Sequence, residues 1–458
     1  MTVNSVSPFW ELTFDADGDV DATQHKILIS GINEEQITDL VIFSHGWNND
    51  ISGATNLYDR FFEPFPGLLA SQNAAKIGYV GVLWPSMRWP DEPIPNFPPA
   101  SNSGATSIDV TATFGAETDA NMSGSQTTLP KSLDEETRTA LASTFPDQAD
   151  TIDRLARLLN ERPQDPAQLE VFFELIGTLA APAEGQPDVH SEASMLPAML
   201  TEDPKIVCQE FLTNLEDLGV GYPEEDNTAT FGPLGRLWNG AREALRQATY
   251  FQMKQRAGHV GQTGLAPILT EIQRDPHGVR IHLVGHSFGA RLVSFAVKAL
   301  PDSDSNSCVK SVTLLQAAFS HFAFADSLPF PGEGGGALAG VQSKVGGPLT
   351  ACFSEHDDAV GTFYPIASRL SGDDTSGLSE RLYRWGALGH DGFQGIDGVP
   401  GLSIESLGAN SNFRYPTEGY FNIDASAVVS LGGPPSGAHS DICHPELAWV
   451  VLKAGQII

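Results

Sequence analysis

Ser287 stands at the centre of Gly285-His286-Ser287-Phe288-Gly289, between a strand-like run, Val279 to Val284, and a helix-like run, Ala290 to Leu300. A serine on so sharp a turn takes a strained backbone and lifts its hydroxyl clear of the sheet. Glycines on either side keep side chains off the neighbouring strand and helix. Such a hydroxyl is a candidate nucleophile once a base takes its proton. The alternative for the same five residues is a glycine-rich turn carrying a solvated serine. Beyond the helix that follows Ser287, the histidines available as a base are His321, His356, His390, His439 and His444.

A second apolar run, Leu40 to Ser44, leads directly into His45-Gly46-Trp47-Asn48, which resembles the His-Gly loop of lipases and esterases. Together with the Gly-His-Ser-Phe-Gly segment it makes the chain similar to α/β-hydrolases of the serine esterase or lipase type, over about residues 35 to 90 and 235 to 455. The resemblance implies two oxyanion donors, the backbone N–H groups of Trp47 and Phe288. His45, Gly46, Gly285, His286 and Gly289 then belong to the supporting motifs. It also implies a triad in the order serine, acid, histidine. The apolar strand Pro348 to Ser354 runs into Glu355-His356-Asp357-Asp358, and Ser354-x-x-Asp357-x-Ala359 is similar to the acid loop of such hydrolases. Asp357 is therefore the expected acid and Asp358 the alternative; both aspartates would also suit the N-cap of a helix suggested by Thr362 to Leu370.

For the base, Phe421 to Val429 alternates as a last strand, a Gly- and Pro-rich loop follows from Leu431 to Gly437, and His439-Ser440-Asp441 comes next. Pro445 to Lys453 then reads as a final helix with Pro445 in its first turn. His439 is the expected base, with His444, at the lip of that helix, and His390 as alternatives. Serine at the nucleophile position departs from the dehalogenase and epoxide hydrolase branches, which carry aspartate there. The implied reaction is acyl transfer from a carboxylic ester to water through an acyl-enzyme, with no metal and no cofactor. An amidase or peptidase using the same triad, and a non-catalytic binding scaffold of the same fold, are the alternatives.

The elements that must position these residues define the expected architecture: an α/β-hydrolase fold, with a mostly parallel central sheet flanked by helices and a large, mainly helical cap. Residues 1–85 and 234–458 form the two parts of the core, and residues 86–233 form an insertion. Before it, residues 55 to 70 supply a helix and Ile77 to Trp84 a strand. After it, Leu237 to Lys254 reads as a long helix, with Leu237, Trp238, Ala241, Leu245 and Ala248 on one face, and Pro267 to Ile272 as a second. Within the insertion, Asp91 to Leu129 is rich in Pro, Ser, Thr and Gly and reads as a flexible loop. Residues from about 131 to 220 carry four helical patterns, Leu133 to Phe145, Ile152 to Leu159, Leu169 to Leu179 and Ile206 to Leu218. A cap over the active site is the expected placement, because ligands bind at the carboxyl edge of such sheets; an accessory domain away from the site is the alternative. Phe61-Phe62 and Phe172-Phe173 are expected in the core rather than in an acyl pocket.

The acidic run Asp15-Ala16-Asp17-Gly18-Asp19-Val20-Asp21 lacks the order of a calcium loop, with Lys26 where a bidentate glutamate would stand. It is expected to form a hairpin turn between strands Trp10 to Phe14 and Lys26 to Ile29. Gly332-Glu333-Gly334-Gly335-Gly336 lacks the Lys-Ser/Thr ending of a phosphate loop and reads as a connector. The cysteines Cys208, Cys308, Cys352 and Cys443 show no C-x-x-C spacing, and so no zinc or redox signature.

A hydrophobic fraction of 41% in 458 residues is enough for a large core. No apolar run is long enough for an integral membrane segment, and Met1-Thr2-Val3-Asn4-Ser5 lacks the features of a secretory signal, so a cytoplasmic location is expected. The formal net charge of -31, from 57 acidic and 26 basic side chains, repels nucleic acid, anionic membranes and polyanionic substrates. The expected partner is a neutral or lipophilic small-molecule ester.

Overall fold

In Asp39–Ser44 and Arg280–His286 buried residues follow one another almost without a break, as strands must when both faces of a sheet are covered. The computed structural model places both at the centre of an eight-stranded sheet. It describes residues 3–70, 75–87, 89, 133–180, 198–200, 202–217, 232–274, 278–302, 307–330, 334–363, 383, 386–407, 414–433 and 436–458. The strands are β1 (Phe9–Thr13), β2 (Asp39–Ser44), β3 (Ile77–Leu83), β4 (Arg280–His286), β5 (Val309–Leu315), β6 (Pro348–Phe353), β7 (Gly401–Ser403) and β8 (Gly419–Asp424). Their spatial order is β1-β3-β2-β4-β5-β6-β8-β7, and each ladder is parallel. The chain is thus of the α/β class.

The helices of the described residues begin with α1 (Ala22–Glu34), α2 (Ile51–Phe62) and α3 (Phe65–Leu69). Those of the insertion are α4 (Glu135–Thr144), α5 (Ala149–Glu161), α6 (Pro166–Ala180) and α7 (Pro204–Asp217). They are followed by α8 (Gly232–Val260), α9 (Ala266–Gln273), α10 (Phe288–Ala299), α11 (Leu388–Asp391) and α12 (Pro445–Ala454). Alternate strand residues face two separate cores. Leu40, Ile42, Ile281 and Leu283 pack with α1, α8, α9 and α10, whereas Val41, Phe43 and Val284 pack with α2, α3 and α12. Phe61 and Phe62 lie in the second core, in ring contact with Phe43 at 4.6 and 6.1 Å. Phe172 and Phe173 are buried within the insertion, Phe172 edge-on to Trp238 at 5.5 Å.

The four helical patterns of the insertion appear as α4 to α7, and their buried residues join the first core through α8. The tightest crossing is at Gly240 of α8, where a β-carbon would come within 2.0 Å of the Cys208 carbonyl oxygen on α7. Residues 91–129, and most of Thr362 to Leu370, lie outside the described residues.

The segment after β1 corrects the hairpin expectation. A turn does form, with Gly18 at φ 90° and an isolated antiparallel bridge between Phe14 and Val20. Lys26 to Ile29 is helical rather than extended, because the Asp21 carboxylate accepts from the N–H groups of Thr23 and Gln24 and starts α1 there. Leu28 and Ile32, four residues apart, then share the buried face. The Asp15 carboxylate accepts from the N–H groups of Asp17 and Asp19, at 3.0 and 2.9 Å, and so shapes the turn itself. Strands β5 and β7 are absent from the sequence reading, and β8 is shorter than Phe421 to Val429, whose last residues form a turn.

Candidate active site

The carboxyl ends of β2, β4, β5 and β6 converge on one edge of the sheet, the place where open α/β sheets bind ligands. Ser287 ends β4 with φ 55° and ψ −120°, a conformation that L-residues adopt only under strain. Its N–H bonds the Leu315 carbonyl of β5 at 3.0 Å, which pins the turn. Close packing forces the glycines. At Gly289 a β-carbon would lie 2.0 Å from the Ser44 carbonyl oxygen, and at Gly285 2.4 Å from the Ala290 α-carbon. At Gly46 it would lie 2.6 Å from the β-carbon of Ser287, so the His-Gly turn and the elbow touch through bare backbone.

Three separate loops bring Ser287, His439 and Asp357 together. His439 Nε2 is 2.8 Å from Ser287 Oγ, and His439 Nδ1 is 2.8 Å from Asp357 Oδ2. A carboxylate only accepts, so Nδ1 carries the proton and Nε2 is left to accept from the serine hydroxyl. Asp357 is fully buried and Ser287 is 4% exposed. The other Asp357 oxygen accepts from Val360 N–H at 3.2 Å. The acid and histidine loops are fastened to each other: Ala438 N–H donates to the His356 carbonyl at 2.8 Å, and Ser354 Oγ donates to the Val429 carbonyl at 2.6 Å.

The alternative residues have other neighbours. Asp358 neighbours Asp357, and burial together with that charge pushes its carboxyl above the ordinary range. His444 bonds Asp441 at 2.8 Å; burial works against its charged form, yet the carboxylate raises its pKa above the ordinary value. His390, on α11, packs behind the acid loop against Gly361. His321 is buried on Asp391, with Nδ1 2.8 Å from both carboxylate oxygens.

The two flanking motif histidines are scaffolding. His45 Nδ1–H donates to the Gly46 carbonyl at 2.8 Å, and its ring stacks on Trp84 at 5.5 Å. Burial holds its pKa down to about 4, so the ring is neutral. His286 Nε2–H donates to the His439 carbonyl at 2.8 Å and holds the base's backbone. Burial first, then the neighbouring His439 and His45, holds the His286 pKa down to about 3.

Of the expected oxyanion residues, Phe288 follows Ser287 in the chain and Trp47 follows Gly46, the glycine packed against Ser287. Phe288 is the first residue of α10, where N–H groups lack intrahelical acceptors. Asn49 Nδ2 bonds the Gly46 and Trp47 carbonyls at 3.3 and 3.1 Å and so fixes the turn that carries the Trp47 N–H. Both residues meet Tyr250 of α8, whose ring lies 4.5 Å from that of Phe288 and 5.6 Å from that of Trp47. The Tyr250 hydroxyl donates to the Ala318 carbonyl at 3.2 Å. Arg246, one turn earlier, sits over the Trp47 ring at 5.7 Å and bonds Glu243 through Nε at 2.9 Å. Sequence reading had no access to Tyr250, because its position on the long helix only marks it as one more buried aromatic. It also missed Gln316, which follows the unrecognised strand β5 and donates to Asp357 Oδ2 at 3.2 Å. Among the described residues no group of His, Cys, Asp and Glu is arranged to hold a metal ion, and no helix is long and apolar enough to cross a membrane. Against known families, curated proteins and solved structures, the chain finds no match.

Proposed function

We propose that the chain is a serine hydrolase of the α/β-hydrolase type that cleaves carboxylic esters through Ser287, His439 and Asp357. The observation that carries this reading is His439 bonded on both sides at 2.8 Å, to a strained serine and to a buried carboxylate. His439 takes the Ser287 proton as Oγ attacks the ester carbonyl, and Asp357 stabilises the imidazolium. The N–H groups of Trp47 and Phe288 receive the negative charge on the carbonyl oxygen, each contributing about 3 kcal/mol to the barrier reduction. The imidazolium then protonates the leaving alkoxide, and water, deprotonated by the same histidine, releases the acid from the acyl-serine. The net charge of -31 favours neutral or lipophilic esters over anionic ones. Tyr250 supports a role for the insertion in covering the site, since α8 joins its helices to both oxyanion residues.

The test is intact-mass labelling with a fluorophosphonate, together with hydrolysis of a p-nitrophenyl ester series. The expected result is one adduct on the wild type, none on Ser287→Ala and slow labelling of His439→Ala. A folded wild type that neither labels nor hydrolyses any ester would defeat the reading.

A further inference from the structure

We propose that Gln316 is a positioning residue for the Ser287–His439–Asp357 site, fixing the one carboxylate oxygen that faces His439. This rests on the hydrolase reading above and adds a fourth side chain to it. Gln316 lies at the carboxyl end of β5, fully buried, with φ 45°, a left-handed conformation that a non-glycine residue rarely adopts. Its side-chain amide nitrogen donates to Asp357 Oδ2 and to the Gly389 carbonyl, both at 3.2 Å. Two acceptors identify that end as the nitrogen. Among the described residues the amide oxygen has no hydrogen-bond partner. The left-handed backbone at this buried position holds the amide where it reaches both acceptors.

Chemistry explains the choice of residue. Asp357 Oδ2 must hold one position to accept from His439 Nδ1, and Oδ1 is already tied to the Val360 N–H. A lysine or arginine in place of Gln316 would neutralise the carboxylate and weaken its support of the imidazolium. An amide fixes the oxygen and leaves the charge. Gly389 completes the frame, because its carbonyl also accepts from Ser354 N–H and its own N–H donates to Ala317. The titratable groups around this frame are Asp357, Asp358, His439, His286, His356 and His390.

The experiment compares fluorophosphonate labelling and the pH dependence of kcat and kcat/KM for wild type, Gln316→Ala and the near-isosteric Gln316→Glu, with thermal midpoints as a control on folding. In Gln316→Ala, kcat falls on the order of 10- to 100-fold at every pH, with KM little changed, because the base is misplaced after substrate binds. Gln316→Glu behaves differently. While its carboxyl carries a proton it donates to Asp357 and restores activity; once that proton leaves, two carboxylates face each other and activity drops, adding a descending limb the wild type lacks. Packing alone would give both variants pH-independent deficits, and that result overturns the proposal. Wild-type rates and profiles in both variants overturn it as well, while Ser287-dependent labelling keeps the triad intact. Loss of Ser287-dependent labelling in the wild type itself overturns both.

Discussion

The two edges of the sheet carry the same three residue types in the same hydrogen-bonded chain, set in different surroundings. At the amino edge His282 lies 3.0 Å from Asp39 Oδ1 through Nε2 and 2.9 Å from Ser311 Oγ through Nδ1. At the carboxyl edge His439 bonds Asp357 and Ser287 at 2.8 Å, with the nitrogens exchanged. Ser311 sits within β5, paired with His282 of β4 just past a shift of register after Ile281, and both are fully buried. A β-carbon on Gly455 would meet His282 Nδ1 at 2.6 Å, so the C-terminal turn closes over the ring. Arg280 lies 3.0 Å from Asp39 and offsets its charge, whereas Asp357 meets the neutral amide of Gln316. A Ser–His–Asp chain is therefore not a site in itself. What the carboxyl edge adds is a serine on a strained turn, N–H groups at the start of α10 and a histidine whose side chain is 14% exposed, against 0% for His282.

The sharpest way to break this contrast is to delete each serine hydroxyl in turn. Ser287→Ala should reduce kcat on the order of a millionfold with the fold retained. Ser311→Ala should leave esterase rates at the wild-type level and lower stability by about 1–2 kcal/mol, because His282 loses a buried partner. Ester hydrolysis and urea unfolding measured on the two variants decide it; equal loss of rate in both would erase the distinction.

The sequence made the carboxyl edge far more legible than the amino edge. Ser287 sits in a five-residue motif whose glycines are required by backbone contacts to Ser44, His45 and Ala290, and such local constraints leave a local pattern. Asp357 and His439 were readable through chain order and the strands before them. Ser311, His282 and Asp39 left no such trace, since their meeting depends on the parallel register of β2, β4 and β5. Gln316 and Tyr250 were hidden for the same reason, one behind an unread strand and one at a helix crossing. The helix at Lys26 to Ile29 was misread because a short apolar run fits either period, and the Asp21 cap that decides between them lies outside it.

A smaller effect concerns the buried rings at both edges and pH. Burial holds His282 below the ordinary histidine pKa, despite Asp39, and holds His45 and His286 at about 4 and 3. In the unfolded chain these rings take up protons below about pH 6.5, and in the folded chain they stay neutral to lower pH. Stability is thus fully present above about pH 6.5 and falls as the pH drops, each ring contributing up to about 1.4 kcal/mol per pH unit. His282→Gln, which keeps a donor for Asp39 and an acceptor for Ser311, should flatten that slope and leave the pH profile of ester hydrolysis unchanged. Urea unfolding between pH 8 and 5 checks the first part; a shifted rate profile would mean that the amino edge communicates with the site.

The smallest expected effect concerns what covers each edge. His282 is closed over by main chain, but the carboxyl edge is walled by the Tyr250 ring against Phe288 and Trp47. Tyr250→Phe removes the hydroxyl that reaches the Ala318 carbonyl and keeps the ring. Losing that buried hydrogen bond costs about 1 kcal/mol, part of which comes from leaving the carbonyl without its donor. If that loss fell wholly on the transition state, kcat/KM would drop only about fivefold. The preference along a p-nitrophenyl ester series should stay the same, because the substitution keeps the ring packed against Phe288 and Trp47. A drop beyond about a hundredfold, on a protein of near-native stability, corresponds to more than ~2.7 kcal/mol and exceeds what a distant packing bond supplies. It would move the Tyr250 hydroxyl from the wall of the site to the reacting atoms.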